Sequence, residues 1–347
     1  MSSSAPRRTR TGIAAALVVL LSGAAAACGG SGGNGGGGDR AGAEAPVLAT
    51  TSILADVTRQ VACGRLDVPS VVPLGADAHE FQPTARDADR LLGASLVVAN
   101  GLGLEEGLHD SLGSAADGGV DVLEVGPEVT PLTLDQEAER QDAAAGGGDG
   151  GDPGGGAGEG HGEGDGTDPH VWMDPDRMAT AAGLISERLQ RLDGLPVTPA
   201  EIRSCGEVYQ EQLRSVGKEM EATLAAVPAG RRKLVTNHEA LGYFADRFGF
   251  EVVGAVIPST SSLGESNPRD LDELATTVRR AGVPAVFGET TQPTKLAEAL
   301  AAQVGGQVRV VELFTESLGG PGSGAQNYVD MLRTDATLVA GALGGGG

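Results

Sequence analysis

The sequence predicts an α/β protein of two lobes, each built on a parallel sheet, joined by one long rigid helix. Three observations carry that expectation. From Val47 onward, short apolar runs rich in Val, Leu and Ala alternate with stretches of helical period. The runs do not alternate polar with apolar, so they read as strands buried on both faces, as in parallel sheets. The alternation halts after "VDVLEV" and restarts at "KLVTNH", with a long helical stretch between the two blocks.

In the first block, "VLATTS" is a strand and "LADVTRQVACG" a helix that stops at Gly64. "DVPSVVP" is a second strand, "TARDADRLLGA" a helix, "LVVANG" a third strand and "VDVLEV" a fourth. A glycine- and acid-rich segment over 141–167 has too few apolar side chains to join a core and reads as a flexible loop. A helix follows over 176–192. The next runs from Thr198, with Pro199 suited to its first turn, to about Ala226. It is roughly 40 Å long at 1.5 Å per residue, more than one small lobe requires. The second block gives strands "KLVTNH", "FEVVGAVIP", "PAVFGE" and "VRVVEL". Helices "EALGYFADRFG", "LDELATTVRRAG", "TKLAEALAAQVG" and "AQNYVDMLRTDATLVAGAL" follow them in turn. The expected domains are an N-terminal lobe over 46–197, a linking helix over 198–226 and a C-terminal lobe over 227–347.

The 347 residues are 40 % hydrophobic, enough for two compact lobes, and only 3 % aromatic, so the cores rest on small aliphatic side chains. A formal charge of −22 argues against nucleic acid or an anionic membrane face as partner. The N-terminus reads as an export signal over 1–27: "RRTR" precedes the apolar run "GIAAALVVLLSGAAAA", which is short for a spanning helix. "AAAAC" is similar to a lipobox, which makes Cys28 the expected lipidation site and 28–45 a Gly-rich tether. Simple secretion with an unmodified Cys28 is the alternative. The two remaining cysteines, Cys63 and Cys205, then meet an oxidising compartment, where pairing is expected over two buried thiols.

Three of the five histidines sit just past strands or at a loop end: His79 in "VVPLGADAHEFQPT", His170 in "DPHVWMDP" and His238 in "KLVTNH". Glu316 follows the last strand. Ligands in open α/β sheets lie beyond the carboxyl ends of the strands. If both lobes face one cleft, three imidazoles and a carboxylate converge there, a donor set suited to four-coordinate zinc. His109, on a helix, and His161, in the glycine loop, lack that placement. No HExxH or CxxC pair is present, and "NGLGLEEGL" lacks the full GxGxxG pattern of a nucleotide loop.

In order and spacing, "PLGADAHEFQPTARD", "LVVANGLGLEEGL", "DPHVWMDP", "TNHEALGYFADRFGFEVVG" and "VFGETTQPTKLAEALAAQVGG" resemble the zinc/manganese-binding cluster of solute-binding lipoproteins of metal-ion ABC importers. The resemblance spans Val47 to Leu343. It implies His79, His170, His238 and Glu316 as metal ligands in the inter-lobe cleft, with glutamate standing where the family more often has aspartate. Glu80 and Glu289 are the competing acids, Glu289 as an acceptor that orients a histidine. It also implies that the loop before His170 matches the His- and acid-rich insertion that zinc carriers of this kind place before the second ligand, here with His161 alone, its acids raising the local cation concentration; a passive Gly-rich insertion is the alternative.

The function expected is capture of Zn²⁺, the transported ligand, at the outer face of the cytoplasmic membrane. The lipid-anchored protein would act as a monomer, without catalysis, and pass the ion to a metal-ABC permease and its ATPase. Histidine at 238 favours zinc over the harder Mn²⁺. The alternatives are an Mn²⁺ or Fe²⁺ receptor of the same family, a surface adhesin, or a zinc-dependent hydrolase using Glu80 or Glu289 as base.

Overall fold

The computed structural model describes residues 47–133, 166–305 and 308–344. The export signal over 1–27, Cys28, the tether and most of the 141–167 segment, His161 included, lie outside the described residues.

Among the described residues the first sheet holds β1 (Val47–Ala49), β2 (Leu96–Ala99) and β3 (Asp121–Glu124), all parallel, in the order β1-β2-β3. Val47 lies opposite Leu96, and Leu96 opposite Asp121. The predicted strand "DVPSVVP" is reduced to a single parallel bridge, Ala49 to Ser70. Pro69 and Pro73 bracket it and lack the N–H that a ladder needs. Val71 and Val72 still donate to Ala49 and Thr50, so the segment runs beside β1 before it turns toward His79.

Helix α1 (Ser52–Val61) is capped by the Thr51 side chain, and α2 (Ala85–Leu92) by a reciprocal Thr84–Asp87 capping box. Helix α3 (His109–Asp117) leads into β3. Thr133 and Thr167, the one closing the first described stretch and the other near the start of the next, form an antiparallel bridge. The insertion between them therefore begins and ends at one place.

The second sheet has the order β5-β4-β6-β7, again parallel, from β4 (Lys233–Thr236), β5 (Glu251–Ala255), β6 (Ala285–Glu289) and β7 (Arg309–Leu313). Strand β4 stops at Thr236, two residues short of the expected end at His238.

Between the sheets, α4 (Pro175–Leu189) precedes α5 (Pro199–Leu224), a helix of 26 residues and about 39 Å. A Thr198–Glu201 capping box and Pro199 in the first turn start it. It packs on α1 and α4 of the first lobe and on the last helix, α9 (Tyr328–Leu343), of the second. Gly206 permits the crossing with α4: a Cβ there would stand 2.7 Å from Ser186 Oγ. The Cys63–Cys205 disulfide, Cα atoms 5.5 Å apart, staples the end of α1 to α5.

Helices α6 (Gly242–Phe248), α7 (Pro268–Ala281) and α8 (Lys295–Val304) complete the second lobe. One apolar core runs through the first lobe, along α5 and into the second, ending at residues such as Phe244, Phe287 and Leu332. A smaller cluster around Val235, Val278, Val286 and Leu300 seals the outer face of the second sheet beneath α7 and α8. No helix among the described residues is long and apolar enough to cross a membrane.

Candidate metal centre

Each of the four predicted residues lies just beyond the carboxyl end of a sheet. His79 follows the segment paired with β1, and His170 lies in the "DPHVW" turn, whose Pro169 carbonyl accepts from Asn100 Nδ2 at the end of β2. His238 is two residues past β4 and Glu316 three past β7. All are at most 3 % exposed. His79, His170, His238 and Glu316 each offer a donor atom, and these atoms lie within 4.8 Å of one another.

His170 Nε2 stands 3.5 Å from His79 Nε2, 3.1 Å from His238 Nε2 and 3.5 Å from Glu316 Oε1. Glu316 Oε1 is 3.7 Å from His238 Nε2. A tetrahedral ion with bonds of about 2.0–2.1 Å spaces its donors by roughly 3.3 Å, so these separations are those of a four-coordinate set.

Two of the rings are oriented by carboxylates. His170 Nδ1 lies 2.6 Å from Asp168 Oδ1, and His238 Nδ1 lies 2.5 Å from Glu289 Oε1. A carboxylate only accepts, so each Nδ1 carries the hydrogen and each Nε2 directs its lone pair at the other donors. Lone pairs 3.1 Å apart repel unless a cation or a proton lies between them. Neither oxygen of buried Glu316 accepts a hydrogen bond. Such a cluster is costly empty and is relieved by a positive ion.

The electrostatics agree. Burial, and then the charges of His170 and His238, push His79 down to about 3. Burial holds His170 well below the usual imidazole range, with His238 adding to it. Burial also lowers His238, but the Glu289 carboxylate and its hydrogen bond, with Glu316, more than reverse this and leave it raised to about 9. Burial lifts Glu316 well above the carboxylate range. At neutral pH two imidazoles are thus neutral donors, and a proton on His238 occupies the place a metal would take.

Glu289, at the end of β6, has the expected orienting position behind His238. Glu80 is exposed and stands outside the group of four. Sequence reasoning missed Asp77 and Asp168. Both belong to an Asp-x-His repeat, at 77–79 and 168–170, in which the Asp Oδ1 accepts the His backbone N–H at 2.8 and 2.9 Å. That repeat was visible in the sequence. The indole N–H of Trp172 in the same turn donates to the Thr315 carbonyl beside Glu316.

Comparison with known proteins places this geometry. Residues 47–342 match the family described as zinc-uptake complex component A, periplasmic (ZnuA). The zinc-binding protein TroA of Treponema pallidum is 31% identical over 312 residues, covering 88% of this chain and 91% of TroA. Its solved structure superposes with a TM-score of 0.73 at 28% identity, covering 87% of this chain and 99% of that one. The manganese-binding lipoprotein MntA of Halalkalibacterium halodurans is 28% identical over 303 residues, 86% of this chain and 89% of MntA. The iron-binding protein YfeA of Yersinia pestis is 24% identical over 298 residues, 86% of each chain. The chain belongs to the zinc-uptake complex component A family of metal-binding ABC-transporter substrate-binding proteins.

Proposed function

We propose that the protein captures Zn²⁺ outside the cytoplasmic membrane and delivers it to a metal-ABC permease driven by an ATPase. Its ligands are His79, His170, His238 and Glu316. The observation that carries this reading is the convergence of three buried imidazoles and a carboxylate with no hydrogen-bond donor of its own. The nitrogen-rich set favours zinc, while relatives named for manganese and iron make Mn²⁺ and Fe²⁺ the alternative cargo. Burial of all four side chains at 3 % exposure or less supports a receptor over a hydrolase, which needs room for a substrate beside the ion. We further infer that the chain is a monomer anchored through acylated Cys28 and a tether over 28–45, after loss of 1–27. Its working unit is then the N-terminal lobe over 46–197, the linking helix over 198–226 and the C-terminal lobe over 227–347.

Calorimetric titration of chelator-stripped protein from Pro46 onward with Zn²⁺, and separately with Mn²⁺, tests the proposal. One tight zinc site, weaker manganese and loss of the site in His79→Ala are expected. The Glu316→Ala variant decides the fourth ligand. Zinc bound only weakly, and equally by the His79 variant, would overturn the receptor reading and leave surface adhesion to be tested.

A further inference from the structure

The two Asp-x-His turns begin alike and end differently. In the second, Asp168 Oδ1 takes both the backbone N–H and the ring Nδ1 of His170. In the first, Asp77 Oδ1 takes the backbone N–H of His79, while the ring Nδ1 of His79 has no partner. The second oxygen of Asp77 is turned across the cleft instead, where it accepts from Gln292 Nε2 of the other lobe at 2.8 Å.

Gln292 sits in the turn that ends β6. Its backbone N–H donates to the Glu289 carbonyl, and the Glu289 side chain holds His238. This one turn is therefore bonded to a histidine of each lobe, through Glu289 to His238 and through Asp77 to His79. A second tie crosses nearby: Ser317, beside Glu316, accepts from the Gly75 N–H at 2.8 Å, and its hydroxyl lies 3.0 Å from that of Ser52. The loop that carries His79 is thus fastened to the second lobe at both Gly75 and Asp77, while its ligand ring has no carboxylate to fix it.

We propose that Gln292 is a positioning residue for metal retention: its bond to Asp77 latches the His79 loop across the cleft and sets how long the ion stays. The inference rests on the receptor reading. The side chain of Gln292 donates to Asp77 and not to one of the four ligands, and its bond forms only when the lobes are together. Breaking it loosens His79, the one imidazole without an orienting acceptor, before it disturbs the other three ligands. Arrival of the ion does not require the latch, so the effect falls on departure.

The test is rapid mixing of the zinc-loaded protein with excess chelator, alongside zinc association rates and thermal melting. For Gln292→Ala, loss of a hydrogen bond to a charged acceptor predicts roughly tenfold faster dissociation with association unchanged. Gln292→Glu, which sets two carboxylates face to face, should release zinc faster still. Ser317→Ala should act in the same direction through the second tie. Amide exchange in metal-free protein supplies an independent arm: the His79 N–H should exchange faster in Gln292→Ala, with β2 amides unchanged. Wild-type dissociation from Gln292→Ala, or a change confined to association or melting temperature, would overturn the latch while leaving the receptor reading intact. If the wild type took up no zinc, the receptor reading would fall, and unchanged exchange at His79 would dispose of the latch as well.

Discussion

Replacing Glu289 by glutamine removes one charge behind the proposed metal site and little volume. The carboxylate lies 2.5 Å from His238 Nδ1, both groups are buried, and it is the chief influence raising His238 to about 9. Loss of a carboxylate that orients a ligating imidazole costs roughly 10–100-fold in metal affinity, about 1.4–2.7 kcal/mol. The measured loss should depend on pH. In the wild type His238 holds a proton at neutral pH that the ion must displace, so apparent affinity rises about tenfold per pH unit below the folded pKa. In Glu289→Gln that pKa falls, displacement costs less, and the slope flattens. Part of the defect is therefore masked near pH 7 and uncovered as pH rises. Zinc affinity by chelator competition from about pH 6.5 to about pH 8, with proton release counted calorimetrically in two buffers, reads both effects. A wild-type-to-variant ratio that stays constant with pH, or equal proton release from the two proteins, would refute the assignment of the proton to the His238–Glu289 pair.

Three further predictions concern stability. Asp335, buried with one oxygen accepting from the Phe314 N–H, is raised to about 7 by burial. Its folded pKa exceeds its unfolded one, so its contribution is intact below about pH 4 and is lost at about 1.4 kcal/mol per unit as pH climbs toward 7. Denaturant titrations should show that slope in the wild type and its absence in Asp335→Asn. Converting Cys63 and Cys205 to serine should cost about 2–5 kcal/mol and lower the melting temperature, because the bridge constrains a long loop of the unfolded chain. Gly206→Ala should destabilise by about 1–3 kcal/mol despite alanine's better helix propensity, because the new Cβ would meet Ser186 Oγ at 2.7 Å. An unchanged melting temperature would show that the α4–α5 crossing relaxes without cost.

The fold was legible because its signals are local. Buried parallel strands read as unbroken Val- and Leu-rich runs, and the helices announce themselves through their period and through signals such as Gly64 at the end of one and Pro199 in the first turn of another. The exception, "DVPSVVP", fails for a local reason as well: its composition suits a strand, but its prolines remove ladder donors, and only the bridge at Ser70 survives. The histidines were legible as candidates from their positions past strands, and the family resemblance drew them together with Glu316.

The partners of those residues were decided by the tertiary structure. Asp77 and Asp168 stand in the same local motif, and their sequence context does not reveal that one fixes a ring while the other reaches Gln292, 2.8 Å away across the cleft and 215 positions along the chain. Nor does it reveal that Glu80 is exposed, or that the histidine Glu289 was expected to orient is His238. By itself the sequence determined the layered α/β architecture, the acidic character and the donor types available to a cation, because propensity, period and composition act over a few residues. Only the packing of both lobes along α5 decided which donors meet, how far apart they stand and which carboxylate holds which imidazole, because those contacts join segments the chain keeps far apart.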